Sequence, residues 1–287
     1  MIDQPVNEND LAVLADGIKE RGPDHAGSWA SNKLAFIHAR LSIIDLSREA
    51  NQPFSIQHEG AEFQLTFNGE IYNFLEIKTK LEKYPINYRS TSDTEVLLWA
   101  YIHFGPEIIK ELRGMFAFSL YDPREEKIIL ARDQMGKKPL YYSKHNGRFV
   151  FSSDIRGIKK ISSGLSLNFS ALNYYLTELG MPQPHTIWNE VSQVRPGAMI
   201  TLDIKTGALE EEVYFDFPLI RKNKDISFDD AMESIESELS RAIERRKMGD
   251  VPIGYFLSGG VDSGLIVALA AQNSKISTYS VGYENSS

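Results

Sequence analysis

Cysteine is absent from all 287 residues. Its absence excludes disulfides and thiolate metal sites. Histidine is sparse: six residues (His25, His38, His58, His103, His145, His185) lie scattered without ligand spacing, so nothing points to zinc. No apolar run approaches membrane-spanning length, and no signal peptide opens the chain. Positive charge is in deficit, with 31 Lys and Arg against 39 Asp and Glu and a net charge of −8. That balance argues against nucleic acid as a main partner and favours solubility. Hydrophobic residues make up 42% and charged residues 24%, the proportions of a soluble globular protein. A cytoplasmic protein of one large or two modest domains is the default, with no membrane partner. No internal repeat or low-complexity tract interrupts it.

The most informative stretch lies near the end, Tyr255-Phe-Leu-Ser-Gly-Gly-Val-Asp-Ser-Gly264. An apolar run from Val251 to Leu257 reads as a buried strand, and Leu265 to Ala271 as the opening of a helix. A strand that feeds a glycine-rich turn into a helix N-terminus offers backbone N–H groups and a positive dipole end to an anion. Gly259 and Gly260 allow close approach, while Ser258 and Ser263 add hydroxyls. The loop lacks the lysine of the Gly-x-x-x-x-Gly-Lys type. A capped strand-to-helix turn is the plain alternative. The full string Ser258-Gly-Gly-Val-Asp-Ser263 resembles the pyrophosphate loop of the ATP-pyrophosphatase superfamily. Such enzymes cleave ATP between its α- and β-phosphates to adenylate a substrate.

From the start, residues 7 to 20 carry a helical pattern with Leu11, Leu14 and Ile18 on one face and Asn7 or Asn9 as caps. Two strand segments between Trp29 and Ala39 turn at Ser31-Asn32-Lys33. Gln64–Phe67 reads as a strand, Phe74–Leu81 as a helix, and Asp93–Ile102 as a helix that begins with a cap. Strands follow at Ala117–Tyr121, Lys127–Arg132 and Leu140–Ser143, and Asn146-Gly147 turns into Arg148–Ser152. A helix at Ser170–Thr177 and a strand at Ala198–Leu202 come next. Composition shifts near residue 218, and an amphipathic helix spans about Phe228 to Met248. Its terminal Arg245-Arg246-Lys247 suits the negative end of the helix dipole better than nucleic acid.

Three short strings carry the chemistry of the first part: His38-Ala-Arg-Leu-Ser-Ile-Ile-Asp45, Phe67-Asn-Gly-Glu-Ile-Tyr-Asn73 and Ser90-Thr-Ser-Asp-Thr-Glu95. Taken singly, each has a plain alternative. Arg40 can be a surface ion-pair partner, Asn68-Gly69 a turn, and Asp93 an N-cap. Together they are similar to the glutaminase domain of class II glutamine amidotransferases. Arg21-Gly-Pro-Asp24, Leu112-Arg-Gly-Met-Phe-Ala-Phe118, Ala131-Arg-Asp133 and Gly136-Lys-Lys-Pro-Leu-Tyr-Tyr142 resemble strings of asparagine synthetases in the same order. With the downstream loop, the resemblance is to the glutamine-hydrolysing asparagine synthase B type and covers essentially the whole chain.

The resemblance implies a fold: an α+β, four-layer αββα sandwich of the N-terminal-nucleophile type over residues 1–210. A linker over 211–227 and the start of an α/β Rossmann-like domain over 228–287 would follow. It also implies roles. Arg40 would grip the α-carboxylate of glutamine within a binding stretch of Arg40, Leu41, Ser42, Ile43 and Ile44. Asp93, with Glu70, would receive the α-ammonium. Asn68, by its side-chain amide, and Gly69, by its N–H, would form the oxyanion hole. Phe256, Leu257 and Val281 would frame the adenine of ATP. Ser258, Gly259, Gly260, Asp262 and Ser263 would hold phosphate and magnesium, with Asp262 as the metal's carboxylate. Glutamine, aspartate and ATP with Mg are the implied substrates, no prosthetic group is implied, and a homodimer is compatible.

Two departures stand against the family pattern. Family chains begin Met-Cys-Gly-Ile and use that cysteine as nucleophile, whereas this one begins Met1-Ile-Asp-Gln-Pro5. The last residues, Gly282-Tyr-Glu-Asn-Ser-Ser287, follow directly on the second strand of the synthetase domain. The expectation is a piece of a longer enzyme, short at both ends and inactive as it stands. Two alternatives stay open. One is a β-lactam-synthetase-like ligase that lacks the cysteine naturally; the other is a non-catalytic nucleotide- or amino-acid-binding module.

Overall fold

The computed structural model describes residues 6–31, 33–217, 226–272 and 274–282. The chain divides into two compact units, Met1–Phe217 and Pro218–Ser287. The first is organised on a six-stranded antiparallel sheet in the order β11-β10-β6-β5-β4-β3. Its strands are β3 (Phe54–His58), β4 (Ala61–Ile71), β5 (Gly114–Asp122), β6 (Lys127–Arg132), β10 (Ala198–Asp203) and β11 (Leu209–Val213). The central strands β5 and β6 are buried almost continuously rather than alternately. Such a pattern means that both faces of the sheet are covered.

One face packs against α3 (Asp93–Phe104), with α2 (Phe74–Leu81) alongside α3. The other carries a second layer of strands: the hairpin β1 (His25–Ala30) and β2 (Ala35–Arg40), and the three strands β7 (Tyr141–His145), β8 (Arg148–Ser152) and β9 (Ser192–Gln193). Beyond these lie α1 (Glu8–Ile18) against β2 and α4 (Ile155–Ile161) against β8. The four layers are therefore helix, sheet, sheet, helix, as expected. Ala117, Ile128, Leu130, Leu140, Val194 and Ile200 form the core between the sheets, with Trp29, Phe149 and Phe151 packed on it. The alternation of Ile128 and Leu130 along β6 follows from the two-residue period of a strand.

The second layer is in two pieces. Among the described residues β2 pairs with β1 alone, and β8 pairs with β7 alone. Phe36 of β2 and Phe151 of β8 meet with ring centroids 5.6 Å apart. Helices α1 and α4 cross closely, since a Cβ at Gly17 would lie 3.3 Å from the Cα of Gly157. A further helix, α5 (Phe169–Glu178), is mostly exposed.

The second unit contains α6 (Phe228–Arg245), β12 (Gly254–Phe256), α7 (Val261–Ala271) and β13 (Ser277–Tyr279). Strands β12 and β13 run parallel, Gly254 opposite Ser277 and Phe256 opposite Tyr279, with α7 between them in sequence. This strand–helix–strand order is that of an α/β unit. Leu269 and Ala270 are its buried apolar residues, whereas Phe228, Met232 and Ile235 of α6 are exposed.

Several expectations need correction. Ser92, not Asp93, caps α3; its Oγ accepts the N–H of Glu95 at 3.3 Å. The run Val251–Leu257 yields a strand only over Gly254–Phe256. Residues 211–213, expected to begin a linker, finish β11, and 218–225 of that linker lie outside the described residues, as does Asn32 of the first hairpin turn. Strands β3 and β11 and helix α4 were not anticipated. In β11 the sequence Leu209-Glu-Glu-Glu-Val213 masks the strand, because charge is what edge strands carry to discourage further pairing.

Leu130 is fully buried at the centre of the core. Leu130→Ala should therefore destabilise the first unit by about 2–5 kcal/mol in urea denaturation. Leu176→Ala on exposed α5, with 69% of its surface accessible, should change stability by less than about 0.5 kcal/mol.

Candidate functional site

Strand β4 delivers the first group of residues. Its run Phe67-Asn68-Gly69-Glu70 pairs with Phe118, Ala117, Phe116 and Met115 of β5. Gly69 has φ +152°, and a Cβ there would lie 2.0 Å from the carbonyl oxygen of Met115. Only glycine fits that close approach. Beside it, Nδ2 of Asn68 is buried and has no hydrogen-bond partner. An unsatisfied buried amide costs about 1–3 kcal/mol, and such an orphan donor suits an oxygen that arrives with a ligand.

Asp93, the first residue of α3, is 4% exposed. Its Oδ2 accepts the N–H of Ile71 at 2.8 Å, so the helix start is tied to β4 two residues beyond Gly69. Burial pushes the Asp93 carboxyl up to about 6, helped by the charge of Glu70 and opposed by N–H donation from Ile71 and Thr94. A carboxylate held in that state favours a cation.

Arg40 ends β2 and is also buried. Its Nη1 donates to Ser47 O and Asn51 Oδ1, both at 2.8 Å, and its Nη2 to the carbonyls of Ile44 and Asp45. The sequence suggested a guanidinium fork open to a carboxylate. Instead its four terminal N–H bonds hold the loop that follows, because a buried guanidinium needs acceptors and this loop supplies them. The Asp45 side chain continues the network, accepting from Thr91 N at 2.7 Å and Ser47 N at 2.9 Å. Glu95 accepts from Ser90 N and Ser90 Oγ, each at 2.7 Å. The loop after β2 is thereby joined to the segment 90–91 that leads into α3.

These residues line one cavity of 520 Å³: Arg40, Leu41, Ile43, Ile44, Asn68, Gly69, Glu70 and Asp93, with the cation Lys138. Ser42 is not on its lining; its N–H donates to Asp24 Oδ2 at 2.7 Å. The sequence reading gave no role to Lys138, Gln52 or His38, which also line the cavity. The signal for His38 was its place at the head of the His38–Asp45 string. Lys138 lay within the Gly136–Tyr142 string but was given no role, and for Gln52 no local signal distinguished a cavity position from a surface one.

In the second unit, Gly259 has φ +83° with nothing within 4 Å of a would-be Cβ. Gly260 precedes α7 without a side-chain cap, so the first N–H groups of the helix are open. The hydroxyls of Ser258 and Ser263 are 3.0 Å apart, and Ser263 Oγ donates to Gly260 O. Asp262 lies in the first turn of α7. One carboxylate beside open helix N–H groups would fit magnesium, which keeps waters and takes few protein ligands. Phe256 and Val281 are 80% and 79% exposed.

Residues 1–215 match the family described as glutamine amidotransferase domain, and residues 234–287 match asparagine synthase. The chain belongs to the glutamine amidotransferase domain family. It is 34% identical to asparagine synthetase (glutamine-hydrolyzing) 1 of Bacillus subtilis, over 97% of this chain and 45% of that protein. It is 31% identical to putative asparagine synthetase (glutamine-hydrolyzing) 2 of Methanocaldococcus jannaschii, over 97% of this chain and 58% of the relative. The chain thus spans about half the length of the curated relatives it matches. The solved structure of glutamine phosphoribosylpyrophosphate amidotransferase from B. subtilis aligns with TM-score 0.47 and 18% identity, over 87% of this chain and 52% of that one.

In this amidotransferase domain, Asp93→Asn keeps an oxygen for Ile71 N–H and removes the buried charge. The folded carboxyl titrates near 6, above its unfolded value, so burial disfavours the charged form once pH exceeds the unfolded value. The substitution should raise stability by roughly 2–3 kcal/mol above pH 6, and the gain should vanish below about pH 4. Thermal or urea denaturation across that pH range measures it.

Proposed function

We propose that the chain is the glutamine-hydrolysing part, followed by the head of the ATP-dependent part, of an asparagine synthetase. The observation that carries this reading is the pairing of an orphan Asn68 amide with the buried Asp93 carboxylate on one cavity. A free amino acid with an amide side chain has both complements. Its α-ammonium would sit on Asp93 with Glu70 near it, and its carboxamide oxygen at Asn68 Nδ2 and the N–H of Gly69. The α-carboxylate would lie against the Arg40-held loop Leu41-Ser42-Ile43-Ile44, close to the guanidinium charge but not forked by it.

Hydrolysis would begin with a thiolate attacking the carboxamide carbon. Asn68 and Gly69 would stabilise the oxyanion, ammonia would leave, and water would release glutamate. No cysteine occurs in these 287 residues. Serine and threonine hydroxyls without an adjacent base are weak nucleophiles, so the chain as given would bind glutamine without cleaving it. In an enzyme that carries both activities the ammonia would aminate an adenylated aspartate. ATP with magnesium would lie at Ser258, Gly259, Gly260, Asp262 and Ser263, with Phe256, Leu257 and Val281 at the adenine. The cavity that joins Arg40, Asn68, Gly69, Glu70 and Asp93 favours this reading over a ring-closing ligase that has no use for glutamine.

The test is glutamate release from glutamine by three proteins: the chain as given, the chain extended by a family-like strand that begins with cysteine, and that extension carrying Asp93→Ala. The first should be inactive, the second active and the third strongly impaired. The edges of β2 and β8 that have no partner strand among the described residues are where such a strand would add, so stability should rise with activity. Activity in the first protein would refute the nucleophile assignment; a folded, inactive second would refute the pocket.

Binding of ATP with magnesium should be weak, because the framing residues Phe256 and Val281 are largely exposed. Calorimetry that showed tight, saturable binding would mean that the second unit already forms a complete site.

A further inference from the structure

The residue just before Asn68 is held in an unusual way. Strand β3 ends its pairing with β4 at Phe54 opposite Leu65, so Phe67 has no β3 residue opposite it. In a strand, the N–H and C=O of one residue point to the same side, and both must find partners when buried. At Phe67 two side chains supply them. Gln52 Oε1 accepts the Phe67 N–H at 2.6 Å, and His38 Nε2 lies 3.1 Å from the Phe67 carbonyl oxygen. Burial pushes His38 down to about 4, so the ring is neutral and its single N–H is the one donated to Phe67. Nδ1 of the same ring is buried without a partner.

The support extends one step further. Gln52 is 7% exposed, and a Cβ at Gly27 of β1 would lie 2.1 Å from its carbonyl oxygen. The backbone of Gln52 is thus backed directly by β1. The Phe67 carbonyl belongs to the same peptide plane as the Asn68 N–H. Fixing that plane fixes the Cα of Asn68, the point from which its side chain leaves the strand.

We propose that Gln52 and His38 are positioning residues for the carboxamide end of the pocket: by taking both hydrogen-bonding groups of Phe67, they aim Asn68 and Gly69 at the ligand's carbonyl oxygen. This rests on the glutamine-pocket reading above. Neither side chain needs to touch the ligand. Their contribution is directional, since a hydrogen bond weakens steeply once its angle departs from linear.

The experiment uses the full chain and two ligands that differ only at the side-chain end, L-glutamine and L-norvaline. Both present the same ammonium and carboxylate, and norvaline has a methyl in place of the carboxamide. Calorimetry on the unsubstituted chain should show a preference for glutamine. Gln52→Met and His38→Leu, which keep bulk and remove the hydrogen bond, should each lower that preference about tenfold while norvaline affinity stays within about twofold. Gln52→Glu, which retains an acceptor oxygen, and His38→Gln, which retains an N–H donor, should restore it. An undiminished preference in Gln52→Met and His38→Leu would overturn the proposal and leave the pocket standing. Loss of both ligands together in these variants, without rescue, would assign the two residues to holding the fold and also overturn it. If the unsubstituted chain binds neither ligand, or does not distinguish them, the glutamine-pocket reading itself fails.

Discussion

The hydrogen bond from Ile71 N–H to Asp93 Oδ2 is the contact on which the pocket depends. It joins the first turn of α3 to β4 beside the Asn68-Gly69 step. It also leaves the carboxylate charged in a place where charge is costly, and burial raises its pKa accordingly. A structural cap could have been neutral. Retaining a carboxylate at a buried helix start makes sense when a cation is to be received there.

Around that contact, four buried charged side chains perform a common task with opposite polarities. Arg40 collects carbonyls from 44–47, whereas Asp45 and Glu95 collect N–H groups from residues 47 and 89–91. On the other side, Asp133 accepts from Phe116, Met135, Lys137 and Lys138. Each satisfies backbone that no helix or strand provides for, so irregular loops can line a cavity without burying unpaired groups. The loops of the site are therefore tied down by side-chain-to-backbone bonds as well as by its apolar lining. For that reason the Phe67 clamp by Gln52 and His38 fits the rest of the architecture.

Much of this was legible in the sequence. The apolar runs gave β6 and β8 to the residue and the body of β5, which starts three residues earlier than expected, and Asn146-Gly147 marked the β7–β8 turn, with φ +51° and +72°. The motif strings pointed to Arg40, the run Asn68-Gly69-Glu70 and Asp93, three separate stretches that line one cavity. What stayed hidden were partners that only tertiary structure creates. Ser92 and Asp93 are both good capping residues, and nothing local says which one caps the helix and which one faces the pocket. Arg40 reads as a free fork until the loop closes over it. Gln52 carries no motif; its importance comes from the end of β3, which leaves Phe67 without a strand neighbour. The two glycines Gly259 and Gly260, by contrast, showed their loop directly, because only backbone geometry is needed there.

The central claim is that Asp93 is kept buried and costly in order to receive an α-ammonium. Carbon-13 NMR of the Asp93 carboxyl, titrated with and without saturating L-glutamine, measures this directly. Without ligand the midpoint should lie about 6. With glutamine bound it should fall to or below the ordinary aspartate value near ~3.9, because the ammonium stabilises the charged form. The same midpoint in both titrations, with glutamine demonstrably bound, would contradict the account.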